Sequence, residues 1–231
     1  MTTFYVQHIT DSYVYLDEND SRHAIKSLRL KVGNIIQLVD GLGKLMNAEI
    51  INDHPKRTKA KIISQKTRKS PVPLILALSP TKSNDRNEWL IEKAVEIGMT
   101  GFYPIICQNS ERKKINLDRI NKIAIAALKQ SGRVWLPEIH NLINFDEFLN
   151  YNLAENKIIA HCRKTERSTI MGKTDAKKSQ LVLIGPEGDF TEKEITMAIS
   201  KGFKPIALGE NRLRTETAGV VALTLMKLSK E

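Results

Sequence analysis

Two glycine-bearing turns hold the residues of this sequence best suited to chemistry. LVLIGPEGDFTEKE spans residues 181–194 and PIALGENRLRTETAG spans 205–219. Each sets glycines directly after a strand-like run and before a helix-like one. At the carboxyl end of a parallel strand, such a turn opens a crevice into which a helix N-terminus aims its N–H groups. Gly185, Gly188 and Gly209 allow the backbone to approach a flat or charged ligand with no Cβ in the way. The second turn also concentrates a cation, a carboxylate and a hydroxyl at Arg214, Glu216 and Thr217. One strand–Gly–helix turn occurs in any α/β protein. Two of them close together near the C-terminus predict a single binding cleft.

Other familiar chemistries are missing. Gly43-Lys44 is followed by Leu45, so no GxxxxGK[ST] phosphate loop exists, and Gly41-Leu42-Gly43 runs on to Met46 with no GxGxxG. GxSxG and HExxH are absent, and the five histidines have no metal spacing. Nucleotide hydrolases, Rossmann cofactor enzymes, α/β hydrolases and zinc hydrolases are therefore disfavoured. Cys107 and Cys162 stand in no CxxC or Cys/His pattern, which suits a reducing cytoplasm.

The elements that must position the two turns alternate between strand and helix. LILAL (74–78), FYPIIC (102–107), KIIAH (157–161), QLVLI (180–184) and PIAL (205–208) read as strands. Helices fall at 84–97, closed by Gly98; from Asn116 to near Gly132; from Thr191, with Glu194 in a capping-box pattern, to Gly202; and from Thr215 to Leu228. That rhythm predicts a largely parallel sheet covered by helices on both faces. The last helix is apolar on almost every side from Ala218 to Leu228, which predicts enclosure by its own domain or burial against a second copy. The first seventy residues differ. YVQHI, YVYL, IIQLVD and AKIIS are short strand-like runs, DGLGK (40–44) is a hairpin candidate, and RHAIKSLRL (22–30) is one helical patch. They predict a small β-barrel over 1–71, divided by Ser70-Pro71-Val72-Pro73 from an α/β domain over 72–231.

Charge points to a polyanion. The 231 residues carry 36 Lys and Arg against 26 Asp and Glu, a net +10. Residues 1–71 hold 12 of those cations against 7 acids, and no acid interrupts 54–71, where Lys56, Arg57, Lys59, Lys61, Lys66, Arg68 and Lys69 lie. Such a stripe gains affinity for nucleic acid by counterion release, although a solvated face alone accounts for it too. No signal-like N-terminus and no run of about 18 apolar residues is present, so a secreted or membrane-spanning protein is not expected.

IGPEGDFTEKEI (184–195), LGENRLRTETA (208–218), and KSNDRNEWLIEKAVEIG (82–98) with Pro104 and QSGR (130–133) resemble the bacterial 16S rRNA uridine N3-methyltransferases. That family belongs to the trefoil-knotted (SPOUT) class. LRLKVG (28–33) and DGLG (40–43) resemble its PUA-like barrel. Asp189 stands where the family usually has glycine, Glu96-Ile97-Gly98 stands for its ELG, and Asn211-Arg212 replaces a basic-then-aliphatic pair.

The resemblance implies a C-terminal trefoil-knotted α/β methyltransferase domain behind an N-terminal PUA-like small β-barrel. It implies S-adenosylmethionine held in the knot by Leu78, by Ile184, Gly185, Pro186, Glu187 and Gly188, by Leu208 and Gly209, and by Leu213, Arg214, Thr215, Thr217 and Ala218. No metal is implied. Uridine N3 keeps its imide proton near neutrality, so a base and a cation for the developing oxygen charge are expected. Glu187 or Glu216 is the candidate base, and Arg214 or Arg112 the stabiliser. Arg22, Lys26, Arg29, Lys31 and Arg133 are candidate contacts to the small-subunit rRNA. A cytoplasmic homodimer is expected, with a pocket shared between subunits. The alternatives are a knotted methyltransferase acting on another RNA or position, and a ribosome assembly factor that binds without catalysing.

Overall fold

In the first unit, strands form where apolar residues alternate. They are β1 (Thr3–Tyr5), β2 (Tyr13–Tyr15), β3 (Ile35–Val39), β4 (Lys44–Asn52) and β5 (Lys59–Thr67), ordered β1-β3-β4-β5-β2. β1 is parallel to β3 and the other ladders are antiparallel. Phe4, Val14, Ile36, Leu38, Met46, Ala48 and Ile50 point inward and are buried, as a two-residue period requires. α1 (Glu18–Arg22) starts at Asp17, whose carboxylate accepts the Asp20 N–H at 2.7 Å, and continues as a π turn over His23–Ser27. The computed structural model describes residues 2–7, 9, 12–163, 168–169 and 175–229.

Among the described residues no ladder joins β1 to β2. Ala24, Ile25 and Leu30 of the helical segment join the same core. Two expectations for this unit need correction. The first strand lies at Thr3–Tyr5 and not along YVQHI, whose His8 lies outside the described residues. The unit also reaches beyond the proline junction, because it comprises Met1–Ser70 together with Ile125–Leu136. Trp135 explains that reach. Its indole N–H donates to the Lys69 carbonyl at 3.1 Å, and its ring lies where a Cβ on Gly43 would fall. Gly43 (φ +101) is thus required twice, by the hairpin turn and by the indole.

The second unit comprises Pro71–Ala124 and Pro137–Glu231. Along the chain come β6 (Leu74–Leu78), α2 (Asn84–Ile97), β7 (Gly101–Ile106), α3 (Leu117–Ser131, whose second half groups with the first unit), β8 (Glu138–Ile139) and β9 (Ile143–Asn144). Then follow α4 (Phe145–Phe148), β10 (Asn156–Ala160), β11 (Ser168–Thr169), β12 (Gln180–Ile184), α5 (Glu192–Ser200), β13 (Lys204–Ala207) and α6 (Thr215–Leu228). The strand order is β11-β13-β10-β12-β6-β7-β8, with β9 also on β7, and every ladder is parallel.

All five residues of β6 and of β12 are buried, as strands covered on both faces must be. Ile75 and Ala77 join a core with Phe145, Phe148, Phe190, Ile195 and Ala198 on one face. On the other face α6 packs on α2, β6 and β12. Gly219 makes that approach possible, since a Cβ there would lie 2.9 Å from a Leu90 methyl and 3.2 Å from one of Leu78. Helix ends follow sequence signals. Gly98 closes α2 at φ +116, and Thr191 and Glu194 make a reciprocal capping box at α5.

Candidate active site

The strand order sets β13, β10 and β12 side by side and parallel, so their carboxyl ends open on one edge. A cavity of about 310 Å³ lies there. Its walls are the turn after β12, the turn after β13, the first turn of α6, residues 160–162 at the end of β10, and Arg86 from α2. The two glycine turns are thus walls of one cleft, at the place in a parallel sheet where ligands bind.

Backbone and side-chain contacts tie those walls together. Thr215 Oγ1 donates to the Gly185 carbonyl at 3.2 Å, a buried bond joining the two glycine turns. Asp189 holds the β10 end: Oδ2 accepts the Cys162 N–H and Oδ1 the Phe190 N–H, each at 2.8 Å. Asp189 does this at φ +61, the left-handed region where glycine is easiest and aspartate is tolerated. A Cβ on Gly185 would lie 3.1 Å from the Phe190 ring, and one on Gly188 3.1 Å from Asn109 Cβ. The smallness of these two glycines therefore serves protein packing. Gly209 differs, because nothing lies within 4 Å of where its Cβ would be.

The charged residues divide by partner. Glu216, in the first turn of α6, is buried and its Oε1 lies 3.6 Å from Arg86 Nε. The helix N-terminus favours a carboxylate there as well. Glu187 is exposed, and its Oε1 accepts the Lys82 N–H at 3.0 Å. The Arg112 guanidinium donates to the carbonyl of that same Lys82. Arg214 is the N-cap residue of α6, is exposed, and makes no side-chain capping bond.

Of the residues singled out in the sequence, Ile184, Gly185, Pro186 and Glu187 line the cavity from one turn. Leu208, Gly209, Leu213, Arg214, Thr215, Glu216 and Ala218 line it from the other side. Leu78, Gly188, Thr217 and Arg112 do not. Leu78 is fully buried beneath Gly219, Gly188 backs onto Asn109, and Arg112 reaches the site only through Lys82. Sequence reasoning missed Arg86, His161 and Cys162 as lining residues, along with the 210–212 stretch, and treated Asp189 only as a departure. The signal for His161 and Cys162 was the KIIAH strand itself, but its place between β12 and β13 is a matter of topology. Among the described residues, no group of three His, Cys, Asp or Glu is placed to hold a metal.

In the first unit, Lys26, Arg29 and Lys31 are exposed, and Arg22 pairs with Glu18 at 2.8 Å. Arg133 is partly buried, and that burial pulls its pKa below the ordinary guanidinium value.

A family model described as an RNA methyltransferase domain matches residues 68–227. The chain belongs to that family. A second model, described as an RNA methyltransferase PUA domain, matches residues 16–63. The ribosomal RNA small subunit methyltransferase E of Mesomycoplasma hyopneumoniae is 32% identical over 97% of this chain and 98% of its own. That of Synechocystis is 31% identical over 94% of this chain and 73% of its own. Among solved structures of the family's proteins, a probable rRNA methyltransferase from Porphyromonas gingivalis superposes with a TM-score of 0.91 at 34% identity, covering 96% of this chain and 95% of that one. The Neisseria gonorrhoeae ribosomal RNA small subunit methyltransferase E, solved with S-adenosylmethionine bound, has a TM-score of 0.85 at 29% identity, covering 98% of this chain and 97% of its own.

Proposed function

We propose that this chain is an S-adenosylmethionine-dependent methyltransferase of small-subunit ribosomal RNA, and that its acceptor is N3 of a uridine in 16S rRNA. The observation that carries the reading is the cleft formed jointly by the two glycine turns, in a chain whose relatives are named as methyltransferases of small-subunit ribosomal RNA. The lining fits the methyl donor. Open backbone at Gly209 leaves room for a flat base, carboxylates at Glu187, Asp189 and Glu210 suit a cationic ligand, and Arg86 and the α6 N-terminus suit its carboxylate. When bound, S-adenosylmethionine supplies a methyl carbon on a sulfonium sulfur that departs as a neutral thioether.

The residues of this chain then have to hold, orient and deprotonate. Thr215 and Asp189 fix the three turns, so the cleft keeps one shape and the reacting atoms stay in line. N3 attacks the methyl carbon as its proton leaves, the carbon–sulfur bond breaks, and the electron pair remains on sulfur. Glu187 takes the proton, because it is exposed at the cleft and has Oε2 to spare. Glu216 holds α6 against Arg86 and serves as a positioning residue. Arg214, free of capping duty, stabilises the charge that develops on the uracil oxygens. N3 lies on the Watson–Crick edge, so the target uridine is unpaired or turned out of its helix.

The route of the chain supports a trefoil knot: from β13, beyond β10, α6 returns to pack on β12 and β6. Val221, Thr224 and Leu225 are partly open along α6 and Leu228 is 70% exposed, which supports a homodimer through that helix. The test is methyl transfer to small subunits lacking the modification, with the product mapped by mass spectrometry. The expected product is 3-methyluridine. Arg214→Ala should lower kcat about 100-fold or more while donor affinity changes only a few-fold. Glu187→Gln should fall comparably, and Glu216→Gln mainly in stability. No transfer, or transfer to a ribose hydroxyl, overturns the assignment.

A further inference from the structure

The outer face of the N-terminal sheet carries an arrangement that neither the core nor the cleft accounts for. β2 and β5 pair antiparallel with Tyr13 opposite Lys61 and Tyr15 opposite Lys59. Directly opposed residues share a face, and Val14 and Ala60 between them are buried. Both tyrosines therefore stand outward, 37% and 46% exposed, on an edge strand. The Arg57 guanidinium sits 4.5 Å over the Tyr15 ring, and the Lys59 ammonium 4.4 Å over that of Tyr13. Arg57, Lys59 and Lys61 form no ion pair with an acid among the described residues, although Glu49 stands in register with Lys61.

We propose that this face is a platform for single-stranded RNA, on which Tyr13 and Tyr15 stack unpaired bases while Arg57, Lys59 and Lys61 take the flanking phosphates. The proposal rests on the reading of the chain as an rRNA enzyme and deepens it by locating where the strand beside the target is held. Arg57, Lys59 and Lys61 belong to the basic stripe already read from the sequence; what the structure adds is the pair of outward tyrosines that they cover. Charge complementarity favours a polyanion, since the stripe over 54–71 contains no acid. Aromatic exposure favours bases over a phosphate-only contact, because a salt-dependent backbone grip needs no rings. Rings two residues apart on one strand face are about 7 Å apart, enough for one base on each. The cations now covering the rings would turn to phosphate as the bases arrive. A lysine on an edge strand also deters edge-to-edge pairing, but that role requires neither tyrosine.

The test is fluorescence anisotropy with a labelled single-stranded RNA of mixed sequence and its duplex, using the full chain. The Tyr13→Leu/Tyr15→Leu double variant should bind the single strand roughly 10-fold or more weakly, the size of losing base stacking. Tyr13→Phe/Tyr15→Phe should stay within about 3-fold, because stacking needs only the ring. Lys59→Gln/Lys61→Gln should lower the slope of log affinity against log salt by about 1.4, at about 0.7 per phosphate. Binding of S-adenosylhomocysteine by calorimetry should be unchanged in all three, and amide hydrogen-exchange protection of β3 and β4 should match the parent, which certifies the folding of the altered unit. A leucine variant that binds like the parent overturns the platform, as does a phenylalanine variant that falls equally far. Absence of methyl transfer by the parent protein would overturn the enzymatic reading and leave the platform result standing.

Discussion

Asp189 offers a quantitative check on how the cleft is held. Its carboxylate accepts two backbone N–H bonds, one within its own turn and one from Cys162 at the end of β10. It does so from φ +61, where a side chain costs about 1 kcal/mol relative to glycine. Hydrogen bonds to a carboxylate are worth more than neutral ones, but partial exposure brings each here to about 1 kcal/mol. Asp189→Ala loses both bonds and keeps the backbone penalty, so the turn should be destabilised by about 2 kcal/mol. Asp189→Gly loses the same bonds but relieves the backbone, for a cost of about 1 kcal/mol. Amide hydrogen exchange at Cys162 reports the link directly. Its protection should fall by roughly 30-fold in the alanine variant and 5-fold in the glycine variant, taking 1.4 kcal/mol as tenfold. Equal protection in parent and glycine variants would refute the idea that the carboxylate, and not merely a left-handed residue, closes the cleft.

Two further outcomes follow from the second unit. Burial, and next the nearby Glu194 carboxylate, push the Cys107 thiol far above its ordinary value, whereas Cys162 is exposed on the cleft. Under Ellman's reagent at pH 8 only Cys162 should react in the folded protein, both thiols should react in denaturant, and S-adenosylhomocysteine should protect Cys162. His140 stacks on Tyr103 with ring centroids 3.8 Å apart, and burial lowers its pKa against an opposing pull from Glu138. The unfolded chain then binds that proton more readily than the folded one, so His140 costs stability as pH falls from about 6.5 through its lower folded value. Replacing it as His140→Phe should make the melting temperature less sensitive to pH between 7.5 and 5, and an unchanged pH profile would refute that role.

The sheet of the second unit was legible because its signals are local. LILAL is apolar throughout and QLVLI is apolar after Gln180, and both are buried at every position. Thr191 and Glu194 announce α5, and Gly98 ends α2. β4 was less visible. KLMNAEII holds few β-branched residues, yet the alternation of Met46, Ala48 and Ile50 was present to be read. What sequence order hides is adjacency. β10 lies between β12 and β13, so His161 and Cys162 face a cleft whose two glycine turns come later in the chain and whose Arg86 comes far earlier. Trp135 is hidden in the same way, since only the fold shows that Gly43 is shaped around it. The pairing of Glu216 with Arg86 joins two helix N-termini far apart in the chain, and no spacing rule reaches that distance.

The peptide of Lys82 links these observations to the chemistry. Its N–H is held by Glu187 and its carbonyl by Arg112, so a residue outside the cleft and a residue inside it grip the two faces of one peptide. Arg112 therefore reaches the cleft only through that peptide. Four residues further on, Arg86 holds Glu216 at the mouth of α6. The short segment from Lys82 to Arg86 thus fixes a carboxylate on each of the two glycine turns. In one case the carboxylate is buried and matched by a guanidinium; in the other it is exposed and bonded only through one oxygen to a neutral N–H. On the proposed reading that asymmetry divides the two carboxylates: Glu216, held beside Arg86, shapes the helix end, and Glu187, exposed at the cleft, is the one within reach of an acceptor.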